Sequence, residues 1–183
     1  LKKLNLQNNF IENINTVSFL DELTDLNLNG NLFTNISPLR FCKKLKSLSL
    51  HNNVLDGDQL YYISNLTQLE SLTLTQSNSR NLDLTYLNNL TNLTYLDIIV
   101  KSGVKSGIDY SNFKKLKTLK IVDDPFTDVS FFKYLNDLEE VYLYSVYNRK
   151  DESQLNGLEW IGGLRKLKKL SIIDSNLNAI SFA

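Results

Sequence analysis

Apolar residues recur along this chain at fixed positions in a unit of about 22 residues. The stretch Leu23 to Lys44, LTDLNLNGNLFTNISPLRFCKK, has apolar residues at positions 1, 4, 6, 11, 14, 17 and 20 of the unit and asparagine at position 9. The unit begins at Leu1, Leu23, Leu45, Leu69, Leu93, Leu116, Leu138 and Leu167. Its length is 22 to 24 residues, except for 29 in the seventh unit. Because such units pack on their neighbours, we expect eight stacked repeats.

The two halves of each repeat have different periods. Each start opens a run with apolar residues at alternate positions, such as Leu26 and Leu28, which predicts a strand with one buried face. The return half has apolar residues three apart, as in Ile36, Leu39 and Cys42, a spacing that favours 3-10 turns over an α-helix. One or two true helical turns are expected after Asp58, a candidate N-cap.

The asparagine at position 9 predicts a buried ladder, since an amide can donate to and accept from turn backbone groups of successive repeats. Its members are Asn9, Asn31 and Asn53. Later repeats replace the asparagine, and the second half is therefore expected to be less regular than the first. The replacements are Ser77, Lys101, Asp124, Val146 and Ser175.

A repeat of this length with the spacing LxxLxLxxN is the signature of a leucine-rich repeat. The predicted fold is an α/β leucine-rich repeat solenoid: a right-handed superhelix with a concave parallel β-sheet and short 3-10 or helical convex segments. The chain resembles the internalin-type class of leucine-rich repeats over its whole length. The resemblance is clearest in FTNISPLRFCKKLKSLSL, from Phe33 to Leu50, and FTDVSFFKYLNDLEEVYL, from Phe126 to Leu143. This resemblance implies a protein-binding scaffold and leaves the partner open.

Residues 1–183 are expected to form one domain of a longer protein, because neither end has a polar capping repeat. Lysine plus arginine and aspartate plus glutamate each number 20, a balance that argues against binding nucleic acid by phosphate neutralisation. Lysine clusters such as Lys43, Lys44 and Lys46 precede some strands but not others, which indicates a solvated rim. There is no apolar run long enough to span a membrane.

Catalytic chemistry has little support in the sequence. The only cysteine, Cys42, lies in the apolar stripe of the return half, where it is expected to pack as a small hydrophobe. The only histidine, His51, is expected on the sheet surface. The aspartates at Asp56, Asp58, Asp123 and Asp124 lack a complete cation-binding loop, and turn or cap roles explain them better. We therefore predict no enzyme activity, cofactor, metal site or small-molecule substrate.

The predicted function is recognition of another protein. A secreted or surface-attached bacterial protein is the favoured setting, with an intracellular regulatory adaptor, similar to phosphatase regulators, and the targeting domain of a larger enzyme as alternatives. Positions 3, 5 and 7 of each strand should point away from the core. In repeats 1–4 these positions are polar, whereas repeats 5–8 have apolar and aromatic residues there. The predicted binding residues are Tyr95, Asp97, Ile99, Lys120, Val122, Glu140, Tyr142, Tyr144 and Ile173.

The alternative for this surface is coverage by the chain itself. The loop of the long seventh repeat, from Tyr147 to Gln154, or a segment beyond the last repeat could fold over it.

Overall fold

Eight short strands form a single parallel sheet in chain order. The computed structural model describes residues 1–55, 57–75, 82–99, 107–123, 129–146 and 158–175. The strands are β1 (Lys3–Asn5), β2 (Asp25–Asn27), β3 (Ser47–Ser49), β4 (Ser71–Thr75), β5 (Tyr95–Ile99), β6 (Thr118–Val122), β7 (Glu140–Tyr144) and β8 (Lys169–Ile173). Each predicted repeat thus contributes one strand.

Strand register follows the repeat. Equivalent positions pair throughout, so that Leu26 lies between Leu4 and Leu48, and Leu119 lies between Leu96 and Val141. These inward side chains are buried from the second repeat to the seventh, while their neighbours in each strand are partly exposed. The alternation expected from the sequence therefore defines an inner face, packed on the core, and an outer face.

The return half of each repeat is a 3-10 segment, as its spacing of three predicts. The segments are η1 (Asn15–Phe19), η2 (Ser37–Phe41), η3 (Gln59–Tyr62), η4 (Leu84–Asn89), η5 (Tyr110–Asn112), η6 (Ser130–Tyr134) and η7 (Glu159–Gly163). The expectation of α-helical turns after Asp58 is wrong. η3 is also 3-10, the Asp58 side chain makes no cap bond, and the α-type bond there, from Ser64 N–H to the Leu60 carbonyl, is shared with Tyr61.

Aromatic residues complete the core where the leucine pattern lapses. In the fifth repeat the buried positions of the return half belong to Tyr110 and Phe113, which meet edge to face. The stack continues through Phe131 and Phe132 to Trp160, with ring centroids 4.4 Å and 4.0 Å apart at the last two steps. Rings therefore replace aliphatic side chains without interrupting the solenoid.

The asparagine ladder is present in the first three repeats but is buried only at Asn31 and Asn53, because Asn9 lies in the end repeat and is exposed. The Asn31 side-chain amide donates to the carbonyls of Leu6 and Leu28, both at 2.9 Å, and its oxygen accepts from the Ile11 N–H. The Asn53 amide repeats this one unit later, donating to the carbonyls of Leu28 and Leu50. Each buried amide thus ties its own turn to the preceding one.

A hydroxyl performs part of this task at the end of the sheet. Val146, which is buried, donates its N–H to the Ser175 hydroxyl, and that hydroxyl donates to the Ile173 carbonyl. The expected loss of regularity is not seen in the described strands. β4 to β8 contain five residues each, whereas β1 to β3 contain three.

Position 8 of the repeat has a left-handed backbone. Its φ is between 51° and 64° in all six repeats for which the structure describes this position, a conformation that Gly and Asn tolerate best. The residues are Asn8, Gly30, Asn52, Asp123, Ser145 and Asp174. In these six repeats the turn directs the chain away from the sheet after the strand, and the apolar pattern gave no indication of it.

Several predictions concern residues outside the described ranges. They include the loop from Tyr147 to Gln154, which was the alternative cover for the predicted surface, and the ladder positions Ser77, Lys101 and Asp124. The aspartate pairs considered for a cation are incomplete for the same reason, since Asp56 is also outside these ranges.

Candidate functional site

The nine predicted binding residues lie on the outer face of β5 to β8. Strand register arranges them in rows that run across the strands. One row is Ile99, Val122, Tyr144 and Ile173, and the next is Asp97, Lys120, Tyr142 and Ser171. Tyr95 and Glu140 occupy the third row with Thr118 and Lys169. All nine are partly exposed, and only Ile173 is more than half exposed, at 54%.

Tyrosines and lysines alternate from strand to strand across these four strands. The Lys120 ammonium is 5.3 Å from the ring centroids of both Tyr95 and Tyr142, on the strands to either side. The Lys169 ammonium is 5.0 Å from the Tyr142 ring. Such cation–π contacts are worth about 0.5–1 kcal/mol at exposed sites. We call Tyr95, Lys120, Tyr142 and Lys169 the lysine–tyrosine ladder.

Two carboxylates hold this ladder in place. The Tyr95 hydroxyl donates to Asp97 at 3.1 Å, and Asp97 also lies 3.7 Å from the Lys120 ammonium. The Tyr142 hydroxyl donates to Glu140 at 2.8 Å. The pKa of Lys120 is raised, chiefly by its interaction with Tyr95, and that of Lys169 is raised chiefly by Tyr142. Both lysines therefore remain charged at neutral pH, and the charges of the ladder and its carboxylates balance.

Beside the ladder runs a single file of apolar side chains, Ile99, Val122, Tyr144 and Ile173, which we call the apolar row. Its aromatic member, Tyr144, stacks on Tyr142 with ring centroids 6.5 Å apart. Because Tyr142 has a lysine against it from each neighbouring strand, its ring is largely occupied by contacts within the protein. Within the apolar row, Ile173 is exposed, and Ile99, Val122 and Tyr144 are partly exposed.

The outer face of the first repeats is polar, as expected, but its amide side chains already form hydrogen bonds within the protein. The Asn27 oxygen accepts from the Asn29 N–H, and the Asn29 oxygen accepts from the His51 N–H at 2.7 Å. The Asn27 amide also donates to the Gln7 side chain. These side chains stabilise the strand ends and neighbouring repeats, a structural role that the sequence analysis did not identify.

The lysines at the sheet rim pair with carboxylates of adjacent repeats. The pairs are Lys44 with Glu22, Lys46 with Glu70, Lys117 and Lys168 with Glu139, and Lys166 with Asp137. In each pair the lysine ammonium meets a carboxylate from a neighbouring repeat, and side-chain exposure is substantial. This arrangement supports the interpretation of a solvated rim with local charge balance.

The remaining candidate chemistry is placed as follows. Cys42 is buried, and burial raises the pKa of its thiol to about 11, so the thiol stays protonated at neutral pH. His51 is partly exposed at the end of β3. Within the described ranges, no three metal-ligating side chains lie together, and no helix has the length and apolarity to cross a membrane.

Lys169 is the member of this surface that the sequence analysis missed. Its closeness in sequence to the rim lysines Lys166 and Lys168 points to the rim instead. Its register position is the signal that identifies it, since it pairs with Glu140 in the same row as Tyr95.

Comparison with known proteins identifies the fold of this chain. The sequence matches no protein-family model and no curated protein. Internalin C2 of Listeria monocytogenes superimposes with a TM-score of 0.61 and 21% identity, over 98% of this chain and 80% of that structure. A leucine-rich repeat protein of Leptospira interrogans superimposes with a TM-score of 0.71 and 24% identity, over 98% of this chain and 50% of that structure. This chain has the leucine-rich repeat fold.

A plant receptor ectodomain has a similar structure. The leucine-rich repeat ectodomain of the Arabidopsis thaliana membrane receptor kinase GASSHO1/SCHENGEN3, in complex with CASPARIAN STRIP INTEGRITY FACTOR 2, gives a TM-score of 0.71 and 24% identity. This chain covers 22% of that ectodomain and is itself covered over 97%. The predicted fold is confirmed, and internalins are among the structures that share it.

Proposed function

We propose that this protein is a non-enzymatic scaffold that binds another protein through the outer face of β5 to β8. The observation that carries the proposal is the apolar row beside a charge-balanced ladder. In the first repeats the outer side chains bond to backbone groups, whereas here Ile173 is exposed and Tyr144 is partly exposed. Apolar surface rimmed by charge is typical of interaction sites.

The rigidity of the ladder supports this proposal. Side chains that are ordered before binding lose less conformational entropy when a partner arrives. The contacts of Lys120 with Tyr95, Asp97 and Tyr142 order residues on three strands at once. Tyrosine is also enriched among the residues that dominate interface energies. Both features favour this surface as the place where a partner binds.

The setting that we propose is a secreted or surface-attached bacterial protein, of which this chain is one repeat domain. The fold likeness to an internalin and to a Leptospira protein favours that setting over a cytoplasmic adaptor or the targeting domain of an enzyme. The complete reading frame is the measurement that decides among them. A secretion signal with an anchor supports the proposal, whereas an appended catalytic domain contradicts it.

Selection of peptide binders tests the proposed surface. Peptides are selected on the wild-type protein from an unbiased random display library, and their affinities are compared with those for the double variant Tyr142→Ser, Tyr144→Ser. We expect the double variant to weaken binding at least 30-fold, equivalent to about 2 kcal/mol. Peptides that bind both proteins equally contradict the proposal.

The control is a tyrosine on the opposite side of the molecule. Tyr134 ends η6 and is 45% exposed, so Tyr134→Ser removes an equivalent ring without altering the sheet. Binding should be unchanged by this variant. Asn27 and Asn29, although polar and on the outer face, are unsuitable controls because their side chains hold backbone groups. Circular dichroism and urea midpoints establish that each variant is folded.

A further inference from the structure

We infer that the segment bound by the apolar row is an amphipathic α-helix that lies across β5 to β8. This inference rests on the proposed function and specifies the partner of the same surface. Three properties of the row support it: its spacing, its width and the charge along its edges.

The spacing of the row matches a helix better than an extended chain. Register places one residue of the row on each successive strand, and parallel strands are about 4.8 Å apart. Side chains on one face of an α-helix recur about every 5.4 Å, and those on one face of a strand about every 6.8 Å. Over three steps the mismatch is about 2 Å for the helix and about 6 Å for the strand. The extended chain therefore loses register within the row.

The width of the row also suits a helix. The row is one side chain wide, with Asp97, Lys120 and Tyr142 next to it on one side. On the other side β6, β7 and β8 are followed by left-handed turns, at Asp123, Ser145 and Asp174. A surface helix has a narrow apolar stripe between polar flanks, which fits such a strip. About ten helical residues, 15 Å in length, cover its roughly 14 Å.

The edges of the row differ in charge. On the ladder side, Lys120 is paired with Asp97, and Lys169 lies on Tyr142 beside Glu140. On the turn side, the exposed Asp174 carboxylate accepts a bond from the Ser145 hydroxyl at 3.3 Å. We therefore infer that the bound helix has lysine or arginine residues along its turn-side flank.

Two matched peptide libraries test this inference. Both have the same length and amino-acid composition, with leucine at positions i, i+3, i+4, i+7 and i+11 in one and at alternate positions in the other. Lysine and glutamate are randomised elsewhere. We expect the best helical-period peptides to bind at least 10-fold more tightly than the best alternating ones. A proline placed in the middle of a selected peptide should abolish its binding, because it breaks the helix.

Variants of the row localise the bound peptide. Val122→Thr and Ile173→Thr keep the β-branched shape that suits a strand, and together they should weaken the helical peptides at least 10-fold. Asp174→Asn should weaken lysine-rich peptides about threefold. Ser49→Ala, on the outer face of β3, is the matched control and should change nothing.

The outcomes separate this inference from the function on which it rests. If alternating peptides bind the wild type as tightly as helical-period peptides or more tightly, and bind the row variants more weakly, the inference of a bound helix is contradicted. The proposal of a protein-binding surface then remains. If selected peptides from both libraries bind the row variants and Tyr144→Ser as tightly as they bind the wild type, the proposed function itself is contradicted.

Discussion

The two halves of this solenoid share one core and differ on their outer face. In repeats 1–3, outward asparagines bond to backbone groups, as Asn29 does to the His51 N–H. In repeats 5–8, outward side chains contact one another, as the Lys120 ammonium contacts the rings of Tyr95 and Tyr142 on the neighbouring strands. The first arrangement uses polar groups for stability. The second leaves the apolar side chain of Ile173 exposed beside partly exposed apolar neighbours.

This difference shows how a repeat fold keeps one core while its outer face varies. The inner positions are buried leucine, isoleucine or valine in both halves from β2 to β7, and equivalent positions pair along the whole sheet. The outer positions contact only their neighbours on the sheet surface. They can therefore diverge between repeats without changing how the repeats stack.

The largest predicted effect tests whether the core is equivalent in both halves. Leu72→Ala and Leu119→Ala each remove a fully buried side chain from the inner face, and each should lower the free energy of unfolding by roughly 2–5 kcal/mol. Urea denaturation followed by circular dichroism measures the loss. A cost confined to one of the two variants contradicts a shared core.

The next effect concerns the turns. Asn31→Ala leaves the Ile11 N–H and the Leu6 and Leu28 carbonyls without the amide, and should cost about 2–3 kcal/mol. Ser175→Ala removes only one hydroxyl from the equivalent place in the last repeat, and should cost about 1 kcal/mol. Equal costs would mean that the asparagine ladder gives the first half no additional stability.

The lysine–tyrosine ladder should contribute less to stability than to binding. Lys120→Met keeps most of the apolar stem and removes the ammonium, and should cost about 1 kcal/mol of unfolding free energy. Binding of selected peptides should fall at least fivefold, because Tyr95 and Tyr142 lose their shared contact. Lys120→Arg should restore most of this binding. Lys43→Met, at an exposed rim position, is the control and should affect neither measurement.

The smallest effect is the pH dependence of the rim. The pKa values of Glu22, Asp137 and Glu139 are lowered, chiefly by hydrogen bonds from Lys44, Lys166 and Lys168. Their stabilisation is fully present above the ordinary values of 4.5 for glutamate and 3.8 for aspartate, and is lost as pH falls through the lowered native values.

Both halves contain such pairs, so a pH titration sharpens the comparison. Below pH 4.5 the urea midpoint of the wild type should fall slightly more steeply than that of Glu22→Gln, in the first half, or Asp137→Asn, in the second. Added salt should reduce this difference between wild type and variant. A larger acid sensitivity in only one half would show that its rim contributes more than exposed pairs do.

The sequence by itself determined the repeat, the strands, the 3-10 segments and the buried asparagines. These features follow from periods of two, three and about 22 residues, and each depends on contacts within one repeat or with its immediate neighbour. The placement of Tyr144 and Ile173 on the outer face follows from the same alternation. Their binding role stays a prediction.

Only the tertiary structure decided which outer side chains meet. Lys120 lies between Tyr95 and Tyr142, more than 20 residues away in each direction, and Lys169 completes the ladder from the next repeat. The structure also placed the Asn29 oxygen on the His51 N–H and left the Asp58 side chain without a cap bond. Such contacts depend on register, side-chain reach and competing partners within a few ångströms, which apolar periodicity does not encode.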